Sequence, residues 1–464
     1  MPRSGTLPTV LTGVFITVLD FFIVNVAVPS TQHDLHAGPA AIEWVVAGYA
    51  LAYGSGLILG GRLGDIHGRR RMFSLGIALF TLASIACGFA PTATALVVAR
   101  VAQGAAAALL SPQVLAIIRT AYAGPERLRA INAYALTMGL AAVFGQLIGG
   151  VLIQADLFGL GWRACFLLNV PIGITVLAVA GRVIPETRAD DAARLDLPGA
   201  ALVTSALAAT LLPLVEGREQ GWPAWTWVSF AASAALFAAF GLRRLPHSPL
   251  IDPALFRQRG FVVGLLTYLA FTSGMAAYFL IFALYVQQGR GLDALEAGLA
   301  FAPIGAGYLA ASLIAPRLAG RLGRQVITIG GLTRALCLTA LLVMVGQEVA
   351  VVGLVPALLL DGIGMGLALG PIMTSALAGV PQQHAGAAAS ALTTTQQVGG
   401  ALGVGAVGIV YYGSVTEGVP TAFRHGLVFL IAVALVLTAL VQFLPRSTVK
   451  SSAATPSARE GAPA

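Results

Sequence analysis

Two ionisable side chains of this sequence lie deep inside long apolar stretches, where a charge is costly. Asp20 stands between Val-Leu and Phe-Phe in the first stretch, about 10 residues or roughly 15 Å of helix from its far end. A carboxyl group that gains and loses a proton at that depth is suited to proton coupling, because an ionised carboxylate there needs a partner. The alternative is a structural carboxylate held by neighbouring hydroxyl groups and water.

Arg100 is the second such residue and opens the segment Arg-Val-Ala-Gln-Gly (100–104) of the fourth stretch. It lies about 6–8 residues, or roughly 9–12 Å, inside that stretch, a depth close to that of Asp20. A guanidinium group stays protonated, so it must be paired or hydrated. We predict that Arg100 sets the proton affinity of a nearby acid and couples protonation to helix packing. The alternatives are a static ion pair and an arginine that reaches the membrane surface.

The segment 60–71 reads Gly-Gly-Arg-Leu-Gly-Asp-Ile-His-Gly-Arg-Arg-Arg between two apolar stretches. Four arginines and an aspartate cannot lie in hydrocarbon, so the segment marks a tight turn at a membrane face, and its excess of arginine indicates the cytoplasmic face. We predict a latch that closes this face, with a solvated loop that only sets the orientation as the alternative. The predicted latch residues are Gly61, Asp65, Gly68, Arg69 and Arg70.

Two further groups of residues are weaker candidates. Small residues spaced along a helix permit close, sliding contact with a neighbour, and the fifth stretch carries Gly139, Gly145, Gly149 and Gly150. In the twelfth stretch Asp361 lies among glycines, and Arg334 lies in the eleventh. These two could form a second charge pair, a substrate site or a structural bridge, and the sequence favours none of them.

Aromatic side chains near the middle of the stretches could stack on flat apolar ligands, although packing is the commoner role of such residues. The predicted cavity residues are Phe21, Phe22, Asn25, Tyr49, Tyr53, Tyr278, Phe282 and Asp361. The sequence shows no phosphate-binding loop with its lysine, no metal-ligand cluster and no nucleophile elbow. We therefore expect neither an enzyme nor a bound cofactor or metal.

The composition places the whole chain in a membrane. Of its 464 residues 57% are hydrophobic and 10% charged, against about 25% charged in soluble domains. The net charge of +8 does not indicate nucleic-acid binding, because the basic residues are scattered over short connecting loops. Lys450 is the single lysine among 27 basic residues, which together with abundant alanine and glycine indicates a GC-rich bacterial genome.

The apolar stretches predict an all-α membrane protein with fourteen spans. With the N-terminus in the cytoplasm, 21 basic residues fall in cytoplasmic segments and four in outer segments, as the positive-inside rule requires. Both termini are then cytoplasmic. The predicted spans are 7–30, 42–62, 72–90, 93–118, 131–154, 163–184, 197–216, 223–242, 261–287, 295–316, 326–346, 350–373, 387–412 and 424–444.

The charged connectors divide these spans into two groups of six with a pair between them. We predict an N-terminal six-helix bundle over 1–184, linkers and a central helix pair over 185–259, and a C-terminal six-helix bundle over 260–446. A disordered cytoplasmic tail would follow over 447–464. The segment 316–324, Pro-Arg-Leu-Ala-Gly-Arg-Leu-Gly-Arg, echoes the turn at 60–71 and suggests that the two bundles are related repeats. Repeated halves with a site between them are typical of transporters.

Several segments together resemble the major facilitator superfamily, and within it the fourteen-helix drug:proton antiporter branch. The turn at 60–71 resembles the superfamily's signature after helix two, and Arg100 to Gly104 resembles its helix-four arginine motif. The segments that resemble further landmarks of the branch are Leu19-Asp20 with Val24-Asn25-Val26-Ala27-Val28-Pro29, Trp162-Arg163 with Asn169-Val170-Pro171-Ile172-Gly173, Leu195-Asp196-Leu197-Pro198-Gly199, Ala294-Leu295-Glu296-Ala297-Gly298 and Gln397-Val398-Gly399-Gly400. The resemblance covers nearly the whole chain.

This resemblance implies the major facilitator fold and a proton-coupled antiporter that exports small amphipathic drugs or antibiotics by alternating access. Asp20 and Arg100 would serve proton coupling, and Asp65 with Arg69 the inner gate. In the helix-five motif Gln146 stands where the branch has proline, which puts the bend of that helix in question. The spans of the second half contain few acids, and this argues against organic dications as substrates.

The partners implied by this reading are a small-molecule substrate, protons and the lipid bilayer, without nucleic acid. The protein would be a monomer in the bacterial inner (cytoplasmic) membrane, driven by the proton motive force. An exporter of an endogenous metabolite with the same fold is the main alternative. A membrane-embedded enzyme or sensor is the other, and it would need a catalytic constellation or a soluble domain.

Overall fold

The computed structural model describes residues 5–188, 196–242, 255, 257–380 and 385–445, and the predicted tail at 447–464 lies outside them. Within the described residues there are fourteen long helices and no strand, so the predicted all-α class is confirmed. The helices are α1 (Thr6–Asp34), α2 (Pro39–His67), α3 (Arg69–Gly88), α4 (Ala93–Ala121), α5 (Gly124–Ala155), α6 (Gly161–Val183, with a 3₁₀ first turn), α7 (Leu197–Glu216), α8 (Ala224–Leu242), α9 (Arg259–Leu284, extended by a π turn to Gly289), α10 (Ala294–Leu322), α11 (Gln325–Gly346), α12 (Val355–Leu377), α13 (Ala385–Ser414) and α14 (Val419–Val441).

Most of these helices are long and apolar enough to cross a bilayer. Eleven meet that description outright, and α2 and α5 meet it when each bent helix counts as one span. The shorter apolar stretch Ala224–Phe240 belongs to α8. The described helices are therefore consistent with the fourteen predicted spans.

Helix boundaries follow from local chemistry at several turns. The Thr92 side chain accepts a hydrogen bond from the Ala95 amide at 3.2 Å and starts α4. At the start of α10, Asp293 and Glu296 form a reciprocal capping box. Gly68 (φ 108°) and Gly323 (φ 58°) end α2 and α10 with backbone in the region that favours glycine. These two turns carry the two arginine-rich segments of the sequence.

The two groups of helices use small residues in the same way. A Cβ added at Gly104 of α4 would lie 3.0 Å from the Tyr49 carbonyl carbon of α2. In the second group a Cβ at Gly362 of α12 would lie 3.0 Å from Ile304 Cα of α10. Both helix pairs therefore approach at backbone distance because glycine is present, as is usual in membrane helices. This equivalence agrees with the repeat that the sequence suggests.

The first helix group, α1–α6, meets the second, α9–α14, at several helix contacts, and the inserted pair, α7 and α8, flanks one of them. Helix α2 packs against α13, α5 against α10, and α1 against both α9 and α10. Helix α7 packs against both α2 and α13. We call the end of the molecule that carries the α2–α3 turn the basic end and the other the opposite end.

Helices α2 and α5, which lie in these contacts, are bent. The two parts of α2 form an angle of 47°, and the parts of α5 form an angle of 41° between Ala142 and Phe144. The α5 bend lies next to Gly145, so this helix bends without a proline at Gln146.

Candidate functional site

Asp20 and Arg100 form an ion pair in the interior of the first helix group. Arg100 Nη1 lies 2.5 Å from Asp20 Oδ2, and neither side chain is exposed to solvent (0% each). Asp20 lies in the middle of α1 and Arg100 lies on α4. The contact therefore joins two helices through residues that are 80 positions apart in the sequence. The structure thus brings together the two residues that the sequence singles out.

The Arg100 guanidinium is held on several sides. Its Nε donates to the Val45 carbonyl oxygen of α2 at 3.0 Å, and its Nη1 also donates to Gln103 Oε1 at 2.7 Å. The Tyr49 ring lies 4.2 Å from the guanidinium carbon, a cation–π distance. Nη2 has no hydrogen-bond partner among the described residues. The arginine is therefore immobilised by α2 and α4 while it faces Asp20.

Three neutral polar residues complete this network, and the sequence analysis gave none of them a role. Gln103 Nε2 and Asn169 Nδ2 each donate to Asp20 Oδ1 at 2.9 Å. The same two groups donate to Ser84 Oγ, at 2.8 and 3.2 Å. Gln103 and Asn169 both stand inside motifs that carried the family resemblance, and that was the available signal.

This network binds four helices through one carboxylate. Asp20 lies on α1, Ser84 on α3, Arg100 and Gln103 on α4, and Asn169 on α6, and all five are buried. Removal of one member of a buried ion pair costs about 3–5 kcal/mol, because the other charge is left without compensation. The contacts of Asp20 with Arg100, Gln103 and Asn169 therefore contribute to the packing of the first helix group.

A cavity of about 480 Å³ lies between the two helix groups and extends to the basic end. Its wall includes Phe21 and Phe22 in the middle of α1, and Arg62 and Arg119 near the basic end. The other wall residues are Thr17, Val18, Tyr53, Leu57, Gly61, Asp65, Arg69, Ser111, Pro112, Leu115, Ala116, Thr120, Tyr134 and Met138 from the first group, and Thr272, Met275, Ala276, Thr393, Gln396, Gln397 and Gly400 from the second.

An aromatic layer connects the ion pair with this cavity. The Tyr49 ring, which covers Arg100, lies 6.2 Å from the Phe21 ring and 5.8 Å from the Tyr53 ring, measured between centroids. Phe21 and Tyr53 line the cavity, whereas Tyr49 is buried behind them. A ligand that displaces Phe21 or Tyr53 would thus act on the ring that holds the arginine.

The predicted cavity residues are divided by the structure. Phe21, Phe22 and Tyr53 line the cavity. Asn25 and Tyr49 are buried in the first group, where the Asn25 amide donates to the Phe22 carbonyl oxygen.

The remaining predicted cavity residues lie in the second group. Tyr278 and Phe282 stack at 5.5 Å inside it, away from the cavity wall. Asp361 is buried there as well and faces Arg334. Gln396 and Gln397, which do line the cavity, were missed, because glutamine in an apolar stretch carries no strong signal of its own.

Arg334 and Asp361 form a second buried pair, with Arg334 Nε 3.2 Å from Asp361 Oδ1. It joins α11 to α12 and lies outside the cavity wall. Among the three roles that the sequence left open, this position favours a charge pair or structural bridge over a substrate site.

The turn between α2 and α3 is tied to its own helix group. Arg69 Nη2 lies 2.9 Å from Asp65 Oδ1 and so joins the start of α3 to the end of α2. Glu186, which follows α6, accepts a hydrogen bond from the Arg70 backbone amide at 3.1 Å. Its Oε2 lies 3.6 Å from Arg70 Nε. Gly68 has φ 108°, which favours glycine, and a Cβ added there would lie 2.6 Å from Glu186 Oε1 and displace that carboxylate. In this conformation these contacts join α2, α3 and the end of α6 rather than the two helix groups.

The four predicted glycines of α5 face two different helices. A Cβ at Gly145 would lie 3.0 Å from Phe22 Cβ, and one at Gly149 would lie 2.8 Å from Ile23 Cγ1, both on α1. A Cβ at Gly150 would lie 3.0 Å from Leu295 Cα of α10, and Gly139 also faces α10. Helix α5 is thus packed between α1, which carries Asp20, and the second helix group.

No group of three or more His, Cys, Asp or Glu side chains that could hold a metal ion occurs in the described part of the chain. Its three cysteines, Cys87, Cys165 and Cys337, are free and buried.

Several known proteins similar in sequence are named as exporters or resistance proteins. Residues 10–404 match the sequence profile of the Major Facilitator Superfamily. The chain is 37% identical over 466 residues to the cephamycin export protein of Amycolatopsis lactamdurans, covering 96% of this chain and 95% of that protein. It is 38% identical to the puromycin resistance protein of Streptomyces alboniger (89% and 82% covered) and 36% identical to a probable actinorhodin transporter of Streptomyces coelicolor (89% and 73% covered).

Solved structures share the architecture. A POT family transporter in complex with a thioalcohol-conjugated peptide superposes with a TM-score of 0.69 at 16% identity, covering 95% of this chain and 97% of that one. The xylose transporter XylE from E. coli, in a partially occluded inward-open conformation, gives a TM-score of 0.65 at 13% identity, covering 95% and 99%. At these identities the likeness concerns the fold alone. With the sequence matches, it establishes that this chain belongs to the Major Facilitator Superfamily and is a multi-pass membrane transporter of small molecules.

Proposed function

We propose that this protein is a proton-coupled antiporter that exports small amphipathic compounds, such as drugs or antibiotics, by alternating access. The observation that carries the proposal is the fully buried Asp20–Arg100 pair, next in sequence to aromatic residues that line a cavity between two related helix groups. Two of the similar proteins are named for cephamycin export and puromycin resistance, which supports this class of cargo.

The proposed orientation places the basic end in the cytoplasm. Segments with an excess of arginine remain on the cytoplasmic side of bacterial membranes, and the turn at 60–71 alone carries four arginines. Both termini are then cytoplasmic, and the protein lies in the inner membrane. The cavity in this structure would consequently be open to the cytoplasm, ready to receive cargo.

The coupling step begins with the charge on Asp20. Paired with Arg100, the carboxylate holds α1, α3, α4 and α6 together, as in this structure. A proton that reaches Asp20 when the cavity faces outward removes the negative charge and weakens this hold. Cargo that displaces Phe21 or Tyr53 acts on the same network through Tyr49, so in this proposal cargo and proton compete for the Asp20 network.

The energies involved are compatible with one carboxyl group acting together with the cargo. A change of a two-state equilibrium from 1:99 to 99:1 requires about 5.5 kcal/mol of differential binding. Each unit of pKa difference between the two states supplies about 1.36 kcal/mol. The proton alone therefore supplies part of the switch, and differential contacts of the cargo supply the rest.

In this proposal the α2–α3 turn and the glycines of α5 take part in the conformational change. Asp65 and Arg69 would form the cytoplasmic latch with the second helix group when the cavity closes at that end. Gly139 and Gly150 would let α5 slide against α10, while Gly145 and Gly149 keep α5 in contact with α1. In this proposal the protein works as a monomer, is driven by the proton motive force and needs no cofactor.

The cavity wall also indicates the charge of the cargo. Near the basic end it carries three arginines, Arg62, Arg69 and Arg119, and a single acid, Asp65, which Arg69 already pairs. Deeper, the wall offers neutral hydrogen-bonding groups such as Tyr53 and Gln397, together with aromatic rings. Neutral or anionic amphipathic compounds fit this wall better than organic dications.

The direct test uses inside-out membrane vesicles from cells that express the protein. The vesicles are acidified inside by respiration, and members of an antibiotic panel are added outside while the internal pH is followed by fluorescence. We expect at least one compound to cause proton exit that is absent from vesicles without the protein. If no compound in a broad panel moves protons, the antiport proposal is wrong.

A further inference from the structure

Another buried carboxylate lies at the opposite end of the molecule and has no part in the mechanism above. Glu43 lies near the start of α2, and its side chain is about 1% exposed. Neither carboxylate oxygen has a hydrogen-bond partner among the described residues. Burial of a charge without such partners is costly, so its retention at this position calls for an explanation.

Glu43 lies in the contact between the two helix groups. Its carboxyl group packs against the backbone of α13 at Gly408, where a Cβ would collide with the carboxylate. The same α2–α13 contact continues towards the cavity, where a Cβ at Gly54 would lie 2.7 Å from Gln397 Cβ. We call this α2–α13 contact the seam. Any opening of the cavity at the opposite end must separate the seam near Glu43.

The charge that faces Glu43 comes from the inserted helix pair. Arg218, in the turn between α7 and α8, places Nη2 3.7 Å from Glu43 Oε1 and 3.8 Å from Glu219 Oε1. Its guanidinium carbon also lies 5.1 Å from the ring centre of Tyr412 on α13. One arginine therefore touches α2 on one side of the seam and α13 on the other.

The turn that carries Arg218 is fixed to the start of α2 by two further acids. Glu216 Oε1 accepts a hydrogen bond from Trp44 Nε1 at 2.9 Å. Glu219 Oε1 accepts one from the Ala40 amide at 3.0 Å. These contacts anchor the inserted pair to the first helix group, and the contact of Arg218 with Tyr412 extends it to the second.

We propose that Arg218 is a clasp carried by the inserted helix pair, which holds the seam closed at the opposite end through Glu43 on α2 and Tyr412 on α13. The clasp favours the arrangement in which the cavity is open at the basic end. It gives the additional helices a function in transport, namely to set the balance between the two access states. This inference rests on the proposed alternating access, but its test reads conformation rather than transport.

The test measures the distance across the seam in purified full-length protein. Spin labels are attached to cysteines introduced at Thr94, at the start of α4, and at Thr416, after α13, which are both exposed. The three natural cysteines are buried, so labelling is selective. We expect Arg218→Gln to raise the ratio of long to short distances about fivefold, the order expected for a partly exposed ion pair. Glu43→Gln should do the same, and the double variant should add little.

A matched control exists at the same end of the molecule. Arg163 pairs with Asp34 at 2.5 Å and lies 4.5 Å from the Trp162 ring, but all three belong to the first helix group. Arg163→Gln should therefore leave the distance distribution unchanged. Arg218 is in a turn and partly exposed, so its replacement leaves the core intact.

The possible outcomes separate the clasp from the proposed transport. If Arg218→Gln leaves the distances as in the unmodified chain, or if Glu43→Gln shifts them in the opposite direction to Arg218→Gln, the clasp is wrong. Either result leaves Asp20-dependent transport standing. A protein that moves no cargo but whose distances respond as expected would instead contradict the proposed function and retain the clasp.

Discussion

Replacement of Asp20 by asparagine removes the negative charge of the buried network with almost no change in shape. The new amide oxygen can still accept from Gln103 and Asn169, but the Arg100 guanidinium is left buried without a counter-charge. Loss of one member of such a pair costs about 3–5 kcal/mol. At about 1.4 kcal/mol per factor of ten, a penalty of this size in a required state slows transport by about 100-fold or more.

The assay is efflux from proteoliposomes with and without an imposed pH gradient, using the best compound from a panel screen. We expect Asp20→Asn to abolish the part of transport that depends on the gradient while the purified protein remains folded. Asp34→Asn is the matched control, since Asp34 lies on the same helix in an ion pair with Arg163 but is 45% exposed. If Asp20→Asn keeps gradient-driven efflux within a few-fold of the unmodified protein, Asp20 does not carry the coupling proton.

Three other expectations follow from named contacts. Gln103→Leu removes a donor to the Asp20 carboxylate, a charged hydrogen bond worth about 1.5–3 kcal/mol. Efflux should therefore fall about tenfold but keep its dependence on the pH gradient. Complete loss of that dependence would contradict this expectation. Gly104→Val pushes a side chain into the Tyr49 backbone and should destabilise the folded protein by about 1–3 kcal/mol in thermal unfolding, whereas Gly320→Val, with open space around it, should not; equal effects would refute the packing argument. Arg119→Gln at the cavity wall should lower efflux of an anionic xanthene dye such as fluorescein relative to a cationic one such as rhodamine 6G, and an unchanged ratio would remove Arg119 from cargo selection.

The sequence was sufficient for the parts of the structure that the membrane dictates. An acid and an arginine at similar depth in apolar stretches each need a partner, and the structure pairs Asp20 with Arg100. Glycine between charged residues marks turns at the membrane face, and Gly68 and Gly323 are found there with positive φ. These features follow from the free-energy cost of a charge in the membrane or of a positive φ at a single residue. They can therefore be predicted without knowledge of the fold.

The neutral part of the site could not be read in this way. Gln103, Ser84 and Asn169 carry no charge, so their burial costs less than that of an ion and indicates no particular partner. Tyr278 and Phe282 lie on α9, a helix surrounded by other helices over much of its length, and its apolar residues therefore do not reveal which face meets the cavity.

Glu43 was missed for a different reason. It is the fifth residue of α2, a position where an acid is readily assigned to the membrane surface. Its burial results from α13 and from the turn after α7, which lie more than 170 residues away in the chain. Contacts at that separation depend on how the helix groups and the inserted pair come together.

Proton release on cargo binding tests the central claim most directly, because it needs no membrane and no gradient. The compound from the panel screen is added to purified protein in weakly buffered solution, and the change in proton concentration is followed with a pH indicator at several starting pH values. We expect cargo to displace about one proton per molecule of the unmodified protein at the lower starting pH values, and none from Asp20→Asn. Equal proton release from both proteins would show that cargo and proton do not compete at Asp20.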